Sequence, residues 1–202
     1  MQRSLGNARG FTLIELLIVI TIMLLLTSFF LLRQQSFNSS TILRSLTYSV
    51  ALSVRQAQVY GTSVRAFGVE FGGEFTAKSY GVHFINTQDD NYVLFADLND
   101  NGQYDGGELV QAFELRQGYT INKFCGILAS GGSEHCTDGG GLQTLSIYFR
   151  RPNPDAQFTP SPSPGGAYSS AYVLIASPTG NAARRVTVYP TGQIEVGTLE
   201  SI

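Results

Sequence analysis

The sequence predicts an α+β protein: one long N-terminal helix, transmembrane in its first half, packed on a head of antiparallel β-sheet. Three observations carry this. Residues 11–32, FTLIELLIVITIMLLLTSFFLL, form a 22-residue apolar run with a single charge, Glu15. Residues 33–60 hold neither Pro nor Gly and place Leu43, Leu46, Val50, Val54 and Ala57 at spacings of 3, 4, 4 and 3, the pattern of an amphipathic helix. From residue 63 the period changes to 2, in a body punctuated by glycines and aromatics.

The composition sets the bounds. The chain has 202 residues, 43% apolar and 14% charged, with a formal net charge of −2. That length suits one globular domain with an appendage, or two small domains. The chain is too apolar for disorder, and its charge is too small and of the wrong sign for general polyanion binding.

Helix geometry explains the first element. At about 1.5 Å per residue the apolar run reaches roughly 33 Å, enough to cross a hydrocarbon core of about 30 Å. A secretory signal peptide would have a shorter apolar region ending in a small-residue cleavage site. No A-x-A pattern follows this run. Arg3 and Arg9 precede the span and only Arg33 follows it closely. The expected topology is single-pass, with a cytoplasmic N-terminus and an exported head. A plain anchor does not explain Glu15, because a carboxylate in a spanning helix costs about 2.5–3.5 kcal/mol on insertion scales.

Gly10-Phe11-Thr12-Leu13-Ile14-Glu15-Leu16-Leu17-Ile18-Val19-Ile20 resembles the class III signal of type IV pilins and type II secretion pseudopilins. The resemblance implies that a prepilin peptidase cuts between Gly10 and Phe11 and methylates the new N-terminus at Phe11. Loss of residues 1–10, with both leading arginines, leaves 192 residues and a formal charge of −4. It also implies a place in the bacterial inner membrane and then in an envelope filament. The partners would be other pilin or pseudopilin subunits, the peptidase, an inner-membrane assembly platform, and lipid before assembly. Gly10 lets an extended backbone enter a protease site without side-chain clash. In that family Glu15 would pair with the free amine of a neighbouring subunit and set axial register, a known use of buried ion pairs. The alternative is that Glu15 pairs within its own chain or stays protonated.

The resulting organisation is a leader at 1–10, a transmembrane half-helix at 11–32, an amphipathic half-helix at 33–61 and a β-rich head at 62–202. Asn38, Ser39 and Ser40 are a weak spot in the helix, and Gly61 stands where a C-cap is expected. In the head, Phe67, Val69 and Phe71 alternate with smaller or polar residues, as do Tyr80, Val82 and Phe84. Further strands are expected at 92–96, 109–115, 119–124, 144–149, 172–176, 185–189 and 193–197, the last two joined by a tight turn at Pro190-Thr191-Gly192. Residues 129–141 read as a Gly-rich surface loop, and 152–164, with five of the seven prolines, as extended and exposed chain. The order of elements, with YFRRPNPDA and a closing hairpin at Gly192-Gln193-Ile194, is similar to the H-type minor pseudopilins of type II secretion and to minor pilins of competence systems.

Residues 97–108, DLNDNGQYDGGE, fit the calcium-loop pattern D-x-[DN]-x-[DN]-G-x5-E without a mismatch. Asp97, Asn99 and Asn101 would offer side-chain oxygens, Gln103 its carbonyl, Asp105 a water-mediated contact and Glu108 a bidentate closure. The flanks read as strands, so a helix-loop-helix hand is not expected. The competing reading is a polar hairpin turn, built from the residues turns favour.

Cys125 and Cys136 lie in the exported part, where a disulfide is permissible. The rival is a metal site using Cys125, His135 and Cys136, with Asp138 as fourth ligand. His83 and His135 are the only histidines, the serines form no nucleophile elbow, and no catalytic constellation emerges. The expected role is therefore structural. A second reading, a DNA-binding minor pilin for DNA uptake, rests on Arg150, Arg151, Arg184 and Arg185. The mature charge of −4 weighs against nucleic acid.

Overall fold

The computed structural model describes residues 10–63, 79–139, 141–163 and 165–200. The leader residues 1–9 and the strand expected through Phe67, Val69 and Phe71 lie outside them. Helix α1 spans Leu13–Thr62. It contributes to two compact units, one ending at Ser40 and one running from Thr41 to the C-terminus. The division falls at the polar run 38–40.

In the first unit, Leu13–Leu31 is long and apolar enough to cross a membrane, and none of it is buried within the chain. In the second unit the helix has one buried stripe. Leu43, Val50, Val54 and Ala57 are buried, joined by Thr47, Ser53 and Gln58. The polar members are satisfied locally. Thr47 donates to the Leu43 carbonyl (2.7 Å) and Ser53 meets the Tyr92 hydroxyl (3.0 Å). Gln58 Nε2 donates to the carbonyls of Pro154 (2.9 Å) and Gly192 (3.1 Å), tying the helix end to two turns.

Gly61 is not a cap. The helix continues through it to Thr62, and a Cβ at Gly61 would overlap the carbonyl oxygen of Phe149. Gly is needed there for a close backbone approach rather than for a left-handed turn.

The head comprises two five-stranded antiparallel sheets. The strands are β1 (Ser79–Ile85), β2 (Asn91–Asp97), β3 (Leu109–Glu114), β4 (Thr120–Leu128), β5 (Glu134–Cys136), β6 (Thr144–Phe149), β7 (Ala156–Ser161), β8 (Tyr168–Ala176), β9 (Ala183–Val188) and β10 (Ile194–Glu200). The first sheet has the order β3-β2-β1-β6-β7 and the second β10-β9-β8-β4-β5. A single core joins the helix stripe to Val82, Phe84, Leu94 and Ile147 of the first sheet and to Val173, Ile175, Val186 and Val188 of the second. Alternate residues face this core, as the period of 2 requires.

Two expectations are corrected. The Gly-rich stretch 129–141 is not all loop, because β5 within it pairs with β4, Cys125 opposite Cys136. The Pro-rich stretch 152–164 is not fully exposed chain. It contains β7, which pairs with β6 at the sheet edge and buries Ala156 and Pro160. Proline is tolerated there because an edge strand does not need every N–H.

Candidate functional site

Two places carry the candidate functional residues: the helix start and the 97–108 turn.

At the helix start, Thr12 Oγ1 accepts the backbone N–H of Glu15 at 3.3 Å. Thr12-x-x-Glu15 is a capping-box pattern, with Thr12 as N-cap and Glu15 in the first turn. A carboxylate there also meets the positive end of the helix dipole. The T-x-x-E spacing that signals the cap stands in the sequence. Phe11 is exposed, and Gly10 has no atom within 4 Å of where a Cβ would stand.

The 97–108 turn joins β2 to β3 and folds over the outer face of the first sheet. Gly102, at φ 71°, sits against the Tyr148 ring, with 2.7 Å from a would-be Cβ to that ring. Tyr104 lies 5.6 Å from His83 and 6.0 Å from Phe95, centroid to centroid. Asp97 and Glu108 are buried at the two feet of the turn. Asp97 accepts the N–H groups of Asn101 (3.1 Å) and Gly102 (2.9 Å). Glu108 accepts those of Leu98 (2.8 Å) and Asp105 (2.9 Å). Four amide donors thus hold two buried carboxylates.

Asn99, Asn101 and Asp105 converge above them. Both carboxamides donate to Asp105 Oδ2, at 2.8 and 2.7 Å. These donors, Asn99 first and then Asn101, hold the exposed Asp105 carboxyl below its ordinary value, with a smaller contribution from His83. The carbonyl oxygens of Asn99 and Asn101 accept the N–H of residues two further on, Asn101 at 3.1 Å and Gln103 at 2.7 Å. Gln103 is exposed.

His83 is buried beneath this turn, with Nδ1 2.7 Å from Ser146 Oγ. Both side chains are sealed from solvent, so the pair is a packing contact and presents no accessible nucleophile. Burial lowers the His83 pKa from 6.5 to about 4, against the opposing pull of Asp105. The unfolded chain therefore takes up this proton near pH 6.5 and the folded chain only near pH 4. Stability must fall as pH drops through that window, by roughly 3 kcal/mol for the full gap. The lowered Asp105 carboxyl acts in the same direction at more acidic pH. Urea unfolding between pH 7 and 4 checks this. His83→Gln is expected to flatten the slope, and an unchanged slope would assign it to another group.

Cys125 and Cys136 form a disulfide across β4 and β5. Among the described residues, the one cluster of three His, Cys, Asp or Glu ligand atoms within 4.8 Å of one another is Cys125, Glu134 and Cys136, and the disulfide removes both thiols from metal chemistry. Glu134 instead accepts the Tyr172 hydroxyl at 3.0 Å.

The four arginines do not form one surface patch by sheet position. Arg150 and Arg151 follow β6 in the first sheet, with Arg150 3.7 Å from Asp100. Arg184 and Arg185 lie on β9 in the second. Arg184 donates to the Gly197 carbonyl at 3.2 Å, and Arg185 stacks on the Tyr172 ring at 4.4 Å.

A family model described as the prokaryotic N-terminal methylation motif matches residues 5–31. No curated protein and no solved structure matches the chain. The motif supports a pilin-like or pseudopilin subunit, a structural class that assembles with its own kind after processing by prepilin peptidase. The exposed apolar helix Leu13–Leu31 fits a membrane-anchored protein of that class.

Proposed function

We propose that this chain is a structural subunit, a minor pilin or pseudopilin of a type II secretion or type IV pilus filament. It is cut after Gly10, methylated at Phe11 and anchored in the inner membrane with its head exported. The observation that carries this reading is the coincidence of the methylation motif at 5–31 with the helix segment Leu13–Leu31, which is apolar and has none of its surface buried within the chain. Such a surface requires lipid or neighbouring helices. The DNA-uptake reading gains nothing from the head, whose candidate arginines are split between two sheets, with Arg150, Arg184 and Arg185 in intramolecular contacts. The test is mass spectrometry of the chain recovered from cells that make it. The expected N-terminus is Phe11 carrying one methyl group. An intact Met1, or cleavage beyond residue 32, would overturn the reading.

We further propose that the 97–108 turn takes calcium, weakly. Its donors are hard oxygens, and Asn99, Asn101 and Asp105 already gather about one point. Asparagine oxygen and nitrogen exchange places by a half-turn of the amide, which would present Oδ1 to a cation. The exchange breaks the amide bonds those oxygens now accept, so affinity belongs in the range of about 10⁻⁴–10⁻³ M. Calcium at about 10 mM should then stabilise the full chain in detergent by roughly 1.4–2.7 kcal/mol relative to chelator. Asp97→Ala and Glu108→Ala should abolish that increment. A melting midpoint unmoved by calcium means a polar turn only.

A further inference from the structure

Strand β10 ends the second sheet, where β9 is its one neighbour among the described residues. The Tyr189 N–H donates to the Gln193 carbonyl at 2.9 Å, and Ile194 and Val196 lie opposite Val188 and Val186. In an antiparallel ladder such bonded pairs alternate with unbonded ones. Glu195 therefore bonds to β9, while the N–H and C=O groups of Ile194 and Val196 point away from it, to the open side. The other sheet ends are blunted, as edges commonly are, by shortness, proline or a bulge. β5 is three residues long, β7 carries Pro160 and β3 shifts register against β2. β10 is seven residues long, holds no proline and keeps a regular register through Val196.

Beside this edge runs a groove of about 420 Å³. Tyr48, Leu52 and Arg55 of α1 form one wall, and Gln193, Ile194 and Val196 the other. A second hollow of about 410 Å³ shares Arg55 and Gln193 and continues to Val59 and Thr62 at the helix end. The helix wall is apolar and open, with Tyr48, Leu52 and Val59 exposed, Leu52 by 67%. It is also basic. Arg44 lies over the Tyr48 ring at 5.7 Å, and Arg55 donates to the Gln58 carboxamide. Neither arginine has a carboxylate partner among the described residues. From Tyr48 to Thr62 the helix rises roughly 21 Å, the length of about six or seven extended residues.

We infer that this groove takes an extended, acidic segment of another protein, added to β10 as a further strand. The walls set its chemistry. Its backbone pairs with the outward groups of Ile194 and Val196. One face carries apolar side chains at alternate positions, which cover Tyr48, Leu52 and Val59. One position on that face is Asp or Glu, set against Arg55. On the other face a Lys or Arg suits the cross-strand place beside the exposed Glu195. Main-chain bonds give an added strand its affinity, and alternate side-chain pockets give it specificity. A helical ligand fits less well, because its backbone groups are already paired and leave the β10 edge unmet. The inference goes beyond the filament reading and does not rest on it, since the groove lies wholly within the unit that begins at Thr41.

A display library of random peptides, sorted on the purified full-length chain in detergent, tests this. Enriched peptides should alternate apolar and polar residues and carry an acid at one position of the apolar face. Leu52→Asp should weaken the best peptide at least about tenfold, and Arg55→Glu about five- to tenfold. Sorting again on Arg55→Glu should replace the selected acid with Lys or Arg. Val196→Pro removes an outward N–H that β9 does not use. It should leave the chain folded, as its melting transition will show, yet weaken the peptide at least about threefold. Methylating the peptide's own nitrogens leaves the protein untouched. Methyl groups on the alternate amides that face β10 should cost at least about tenfold, and on the other set less than about threefold. Equal tolerance of both sets means an apolar groove without strand pairing and overturns the inference. So does a sort that enriches no alternating peptide, a best peptide that binds Leu52→Asp unchanged, or a consensus indifferent to Arg55→Glu. Binding that appears only when residues 64–78 are replaced by a short linker gives the groove to this chain itself and also overturns it. The N-terminal mass measurement tests the filament reading separately, so either can fail alone.

Discussion

Gly10→Val is expected to accumulate as full-length precursor in the membrane, with no chain beginning at Phe11. The structure separates this from misfolding. A side chain at position 10 would meet nothing within 4 Å, so the chain itself does not require glycine there. The requirement then lies in the peptidase, which must admit an extended backbone. Mature protein at wild-type level in Gly10→Val would remove the processing argument. Glu15→Val goes further along the same path. It relieves an insertion cost of about 2.5–3.5 kcal/mol, so membrane entry and cleavage should proceed, while assembly should fail. The capping bond runs from the Glu15 backbone N–H to Thr12 and survives in Glu15→Val, so the rival cause is the other arm of a capping box, in which the Glu15 side chain would reach back to the Thr12 N–H. Glu15→Gln separates the two, because glutamine serves a capping box as well as glutamate does but carries no charge to pair with a neighbour's amine. Failure of both variants assigns Glu15 to the charge pair. Normal filaments from Glu15→Gln would assign it to the helix start.

How much could be read in the chain depends on the range of the interaction that defines each feature. The buried helix stripe at Leu43, Val50, Val54 and Ala57 follows from spacing alone, and most strand centres follow from alternation. β5 escapes because Glu134–Cys136 is three residues flanked by turns, and only its pairing with β4 makes it a strand. β7 escapes because Pro160 reads as a breaker until it is placed at a sheet edge. At the turn, the twelve-residue pattern was legible, but its setting was not. Burial of Asp97 and Glu108 on four amides, and the tilted ring contacts of Tyr104 with His83 and Phe95, depend on residues brought together from separate strands. The clamp of Gln58 on Pro154 and Gly192 spans even longer separations. The capping role of Glu15 is different, since T-x-x-E is local and stood in the sequence beside the more conspicuous assembly motif.

Gly61 gives the sharpest quantitative test of the head, because two effects of opposite sign compete there. Inside a helix, Gly→Ala gains about 1 kcal/mol in intrinsic propensity, so at an open helical site Gly61→Ala would stabilise. Here the added Cβ would overlap the Phe149 carbonyl oxygen, and it would come within 3.0 Å of that residue's Cβ. The obstacle is backbone and has no rotamer by which to escape. Phe149 is fully buried and is held on both sides, opposite Tyr80 on β1 and Ala156 on β7. Relief must therefore come from shifting the helix end, where Gln58 secures two turns. Overpacking of this kind costs about 1–3 kcal/mol and sometimes more, which outweighs the propensity gain. Gly61→Ala should destabilise by about 1–2 kcal/mol. Gly61→Val adds bulk while gaining less in propensity, and should cost about 3 kcal/mol or more. For a chain of this size each kcal/mol lowers the melting midpoint by about 2–4 °C, so the valine variant should melt roughly 6–12 °C below wild type. Thermal unfolding of the full chain in detergent measures both. A Gly61→Ala variant that melts at or above the wild-type midpoint would mean that the helix does not make this approach to Phe149.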